Sequence, residues 1–339
     1  MTRDPDLELL LQVAGQVAAD HAGSADEEDD AAAQDPPSGS ERLRAALDDA
    51  GLLTLAVDAA ELEHALLWLT SVVSAVAEHD PSLAFVLAAH YAADLAALRD
   101  GSQTASAGWR TTGTVAAGAA GATWGDGRDV LLPGLFGPTR VLALDVPSMT
   151  LAWAPSSSLG TARGCRRTGL SAARLRSITV GPVQPAPRET AVRGLRDWSL
   201  LMSAVALGIA TAAACASETY AAQRVQFGAA IATFSGLRTL LSEMQVKVFS
   251  VGAMLDTAVV DELDAAAALE VWACAGRAAV EICLDAIQVH GGYGYIEEYP
   301  VAALLRDAVS LRARGGGRRV PLATAALLHT SAPSGASGR

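Results

Sequence analysis

Apolar residues recur at helical spacing from Asp6 onward in DLELLLQVAGQVAADHA, which predicts a helix near the N-terminus. The pattern breaks in SADEEDDAAAQDPPSGS, residues 24–40, where dense like charge and two prolines offer little to bury and predict a mobile acidic loop. ERLRAALDDAG resumes the helical period, with Gly51 placed as a C-terminal cap. ELEHALLWLTSVVSAVAEHD and PSLAFVLAAHYAADLAALRDG predict two more helices, the second opened by Pro81 near its first turn and ended before Gly101. From about Ser102 the texture changes to Gly, Thr and Ser around short runs, DVLLPGLF, TRVLALDV, SMTLAWAP and RSITVGPV, which read as strands between turns. After PAPRET, long helical patterns return over 192–224, 236–260 and 265–289. The expected architecture is mainly α: a helical domain over 1–102, a small middle β-domain over 103–187, a helical bundle over 188–330 and a disordered tail over 331–339. No internal repeat is evident.

Composition narrows the function classes. With 339 residues, 51% of them hydrophobic, the chain can bury a large core, and its net charge of −12 disfavours a nucleic-acid partner. The arginines at 306, 312, 314, 318 and 319 read as a solvated basic face. Cys165, Cys215, Cys274 and Cys283 show neither paired spacing nor a nearby histidine set, so no metal or disulfide framework is expected. The first residues carry acids where a secretion signal would carry bases, and a cytoplasmic setting follows as the expectation. Twenty uncharged residues separate Asp197 from Glu218, nominally enough for a bilayer span. Alanine, serine and threonine dominate them, so the expectation is a buried bundle helix and no membrane span.

Two helix ends carry candidate chemistry. In ETYAAQRVQFGAAIATF, Arg224 falls in the last turn of a helix with Gly228 beyond it; the arginine could simply complement the helix dipole and the glycine cap the helix. The alternative is a fixed planar fork presented to a pyrophosphate. QVHGGYGY likewise reads as a helix stop, or as side-chain-free backbone on which a flat adenosine group could lie, with Gln288 supplying amide hydrogen bonds. At a helix C-terminus this is no phosphate-loop fingerprint. His290 reads as a packed or solvated histidine, and Pro300 with Glu297 and Glu298 as the start of a short helix.

Taken together, Arg224-Val-Gln-Phe-Gly228, Phe234, Gln288-x-x-Gly-Gly-x-Gly-Tyr295, Glu298-Tyr-Pro300 and Arg306-Asp-Ala308 stand in the order and spacing of the acyl-CoA dehydrogenase family. The resemblance is concentrated in residues 195–310. It implies the three-part fold above, α,β-dehydrogenation of an acyl-CoA thioester, and FAD shared at a subunit interface. Carried over, Arg224, Gln226, Phe227, Gly228, Gln288, Gly291 and Gly292 would serve the FAD of a neighbouring, homologous subunit in a dimer or tetramer. Ser235 stands where the family often has a glutamine, which shortens or removes that contact.

Two departures bear on activity. The family's Thr-Glu-Pro and Gly-Ser-Asp stretches, which hold the flavin ring, have no counterpart between Ser102 and Pro187. The family's usual catalytic Glu lies seven residues beyond Arg-Asp-Ala, and that position is Gly315; the alternative Glu position of some members is Trp198. Asp197 is adjacent to it, but one residue turns a helix by about 100° and should aim it elsewhere. The resemblance therefore implies no catalytic base in this chain and a non-catalytic or half-site subunit. The alternatives are a stand-alone flavoenzyme with another base or chemistry, and a flavin-free scaffold.

Overall fold

The computed structural model describes residues 4–22, 38–62, 64–99, 109–115, 128–165, 169–314 and 316–331. Helices α1 (Pro5–Ala22), α2 (Ser38–Asp49), α3 (Leu55–Asp58), α4 (Ala65–Ala77) and α5 (Pro81–Arg99) precede a sheet. Helix α2 corrects the acidic loop: Ser38, Gly39 and Ser40 belong to its first turn, and the rest of that expectation lies outside the described residues. The tail over 332–339 is likewise outside them, whereas Ser331 closes a helix.

The sheet runs β4 (Thr150–Pro155), β3 (Arg140–Asp145), β1 (Arg110–Val115), β2 (Arg128–Leu132), β6 (Arg176–Val180), β5 (Arg163–Gly164). Only β1 and β3 pair in parallel; the other neighbours are antiparallel. The central strand β1, RTTGTV, was not among the runs that the apolar pattern singled out. Its buried Thr111, Thr112 and Thr114 are β-branched and suit a pleated strand, but they carry no aliphatic alternation. Period-2 alternation is plain in β3, where Leu142 and Leu144 join the main core while Val141 and Ala143 join a smaller cluster with Val130, Ala152 and Ile178.

The chain then enters α6 (Arg188–Gln223), a helix of 36 residues and about 54 Å. A short hairpin of β7 (Val225–Gln226) and β8 (Ala229–Ala230) leads to α7 (Ser235–Val260), α8 (Ala265–His290), α9 (Val301–Arg314) and α10 (Arg319–Ser331). The apolar stretches of α5 and α6 are long enough for a bilayer by length and composition, and both are mostly buried inside the fold. Buried Ser199, Ser203 and Ser217 satisfy their hydroxyls by donating to the carbonyls four residues back, at 2.7–2.8 Å.

The segment before β6 is tied to α9. Gly169 lies so close that a Cβ there would sit 2.1 Å from the Arg306 carbonyl oxygen, and the next amide, Leu170, donates to Asp307 Oδ1 at 2.5 Å. Burial raises the Asp307 carboxyl to about 6; the Leu170 N–H opposes this, Asp80 adds to it, and Arg306 opposes it. An unfolded aspartate titrates near 3.9. The native chain therefore holds this proton more tightly, and the stability it contributes is fully present below about pH 4 and lost as pH rises through about 6. Replacing Asp307 by Asn keeps an acceptor for Leu170 and removes the titration. In urea unfolding, Asp307→Asn should match the native chain near pH 4 and exceed it at pH 7 by on the order of 2 kcal/mol.

Candidate functional site

The candidate residues gather at one end of the bundle. Helix α6 ends on the bond from Arg224 N–H to the Tyr220 carbonyl, and Arg224 itself is extended, with φ −75° and ψ 119°. Val225 pairs with Ala230 and Gln226 with Ala229, which leaves Phe227 and Gly228 as a two-residue turn with φ of 52° and 80°. Both central residues are left-handed, as a type I′ hairpin requires. Gly228 is thus a hairpin glycine and not the helix cap that sequence reasoning had offered. The turn holds the Phe227 ring 97% exposed, with Phe234 edge-on at 6.3 Å between centroids. Ser235 begins α7 just beyond and is exposed.

At the end of α8, Gly291 takes φ 60° and stops the helix, and residues Gly291–Tyr295 form a 3-10 turn. Gln288, Gly291 and Gly292 are exposed. His290 is buried and serves this turn: its Nδ1–H donates to the Ala286 carbonyl at 2.8 Å, and its ring stacks on Tyr220 at 4.3 Å. Burial lowers its pKa, opposed by the Ala286 bond, so it stays neutral as a packing element. Tyr299 packs edge-on against Tyr220, His290 and Tyr293 at 5.5, 5.4 and 5.9 Å. Tyr293 in turn lies under the Arg224 guanidinium, 5.2 Å from the ring centroid. Sequence reasoning did not single out Tyr293 or Tyr299. The tyrosine inside GGYGY was visible in the sequence, but nothing local pairs it with Arg224.

Of the two candidate base positions, only Trp198 lies among the described residues; Gly315 lies outside them. Trp198 is buried and meets Trp272 edge-on at 6.0 Å, which leaves it a core residue. Asp197, fully buried, is engaged by Arg99 and has Arg196 at 3.8 Å. Burial raises its pKa while Arg99 and Arg196 pull it down. It is a structural carboxyl group held between α5 and α6.

Residues 190–326 match the family model described as acyl-CoA dehydrogenase, C-terminal domain. A 3-sulfinopropanoyl-CoA desulfinase of Paraburkholderia xenovorans is 30% identical over 203 residues, covering 58% of this chain and 50% of that protein. An acyl-CoA dehydrogenase of Bacillus subtilis is 40% identical over 125 residues, 35% of this chain and 32% of that one. The matches thus span half or less of these relatives. Butyryl-CoA dehydrogenase from Megasphaera elsdenii superposes with a TM-score of 0.72 at 18% identity, over 97% of this chain and 99% of that one, which shows a shared fold.

The Arg99–Asp197 pair separates a structural carboxylate from a reactive one. Arg99→Ala strands a buried charge and should cost about 3 kcal/mol in urea unfolding. Asp197→Asn removes that charge and should cost clearly less. Equal losses would contradict the role given to the pair.

Proposed function

Because the chain belongs to the acyl-CoA dehydrogenase family, we propose that it acts as a half-site subunit, lending Arg224 and its hairpin to the FAD of a homologous subunit that oxidises an acyl-CoA. The observation that carries this reading is the fully presented Phe227 ring on a paired hairpin turn three residues beyond Arg224. An apolar ring held 97% in water costs solvation, which a partner surface would recover. Val246 and Phe249 of α7 and Leu284 of α8 are further exposed apolar side chains.

The residues present suit the adenosine-diphosphate side of such a cofactor. The guanidinium of Arg224 offers a fork for a diphosphate, Gln226 and Gln288 offer exposed amides, and Phe227 and Phe234 offer flat apolar faces. FAD supplies hydride acceptance when bound. This chain's share is to bind and orient it and to exclude water from its edge. Proton removal from the thioester needs a placed carboxylate, which typically contributes about 10²–10⁴-fold. The base would come from the partner, since this chain has glycine at 315, and tryptophan at 198 is packed in the core.

A second reading, different chemistry on a complete site of its own, is favoured by one observation: the 30%-identical relative carries the name of a desulfinase. Absorbance distinguishes the two. The chain purified alone should carry little FAD, and in the assembly with a homologous subunit Arg224→Ala should lower FAD retention at least tenfold while shifting unfolding by less than about 1 kcal/mol. Stoichiometric flavin in the isolated chain would favour the second reading. Gly315→Glu offers an independent check. It should give the isolated chain no acyl-CoA oxidation with an artificial electron acceptor, whereas a gain on the order of 10² would mean that only the base had been missing.

A further inference from the structure

We infer that Tyr293 is a positioning residue that fixes the Arg224 guanidinium for a diphosphate group. This rests on the proposal that Arg224 serves a dinucleotide. A long side chain at a helix end must give up rotamer freedom each time it grips an anion, and a planar guanidinium already held in place gives up less. The ring of Tyr293 lies within cation–π reach, 5.2 Å from the guanidinium carbon. Stacking uses the π-face of the guanidinium and leaves its in-plane N–H donors available for an oxyanion. Among the described residues the Arg224 guanidinium has no ion-pair partner that would compete for those donors.

Tyr293 is itself held. It sits in the turn that closes α8, with Tyr299 edge-on at 5.9 Å, and Tyr299 rests on the buried His290 and on Tyr220. Tyr220 lies one helical turn before Arg224 and accepts its backbone N–H. The rings thus join the end of α6 to the end of α8, and both the backbone and the side chain of Arg224 are anchored to the same group. A leucine at 293 would keep an apolar contact with Tyr299 but would offer the guanidinium no π-face. A phenylalanine would keep both.

The test uses the full chain with arginine side chains isotopically labelled and Arg224 assigned through Arg224→Lys. The Arg224 side-chain protons should show an upfield ring-current displacement that persists in Tyr293→Phe and vanishes in Tyr293→Leu. Titration with inorganic pyrophosphate should move the Arg224 Nε–H signal, and Tyr293→Leu should need about two- to fivefold more pyrophosphate for the same movement. Tyr293→Phe should behave as the native chain does. Absence of the ring-current displacement in the native chain overturns the positioning role whatever pyrophosphate does. A displacement that is present while pyrophosphate leaves Arg224 unmoved overturns the diphosphate assignment and, with it, the reading of Arg224 as a cofactor residue. Equal pyrophosphate response in the leucine and phenylalanine variants shows that stacking contributes nothing, and also overturns the proposal.

Discussion

The structure depends on sheathing one helix. From Asp197 to Ala206 every residue of α6 is buried, so no face of that stretch can meet water and neighbours are needed all round. Helices α4 and α5 from the first third of the chain and α7, α8 and α9 from the last third supply them, and β4 touches its N-terminal half. Domains separated in sequence are therefore one core in space. The direction of α6 sets the position of everything at its two ends.

At its N-terminal end, the constraint turns polar groups into architecture. Asp197 cannot be solvated where it lies; Arg99 from α5 donates to its Oδ2 and Arg196 approaches its Oδ1 at 3.8 Å, which ties the first domain to the bundle. Asp307 does similar work between the segment preceding β6 and α9. Both carboxylates are consumed in holding elements together. At the C-terminal end the distribution inverts. The polar interior gives way to rings, His290 and Tyr220 buried or half-buried, then Tyr299, then Tyr293 and Phe227 in water. Cores bury apolar rings and expose charge, so the exposed rings at this end depart from the usual distribution.

Long periodic elements were legible in the sequence because many residues repeat the same message. The helices read over 192–224, 236–260 and 265–289 correspond to α6, α7 and α8 within a few residues at either end. The central strand was not legible, because three threonines and a glycine in a Gly-rich region lack the aliphatic alternation that marked β3. The hairpin at Phe227–Gly228 was missed for another reason. A glycine soon after a helix is compatible with a cap and with a turn, and only the pairing of Val225 with Ala230 decides between them. The partnership of Arg224 with Tyr293, 69 residues apart, is a tertiary fact that neither local pattern contains.

The same geometry ties both candidate helix ends to the core. Arg224 is placed by the end of α6, and the glycine turn by the end of α8; these two helices pack along one another through the core. Moving either end would require repacking buried residues such as Trp198 against Trp272. The placement of Arg224 and of the glycine turn is thus coupled to folding.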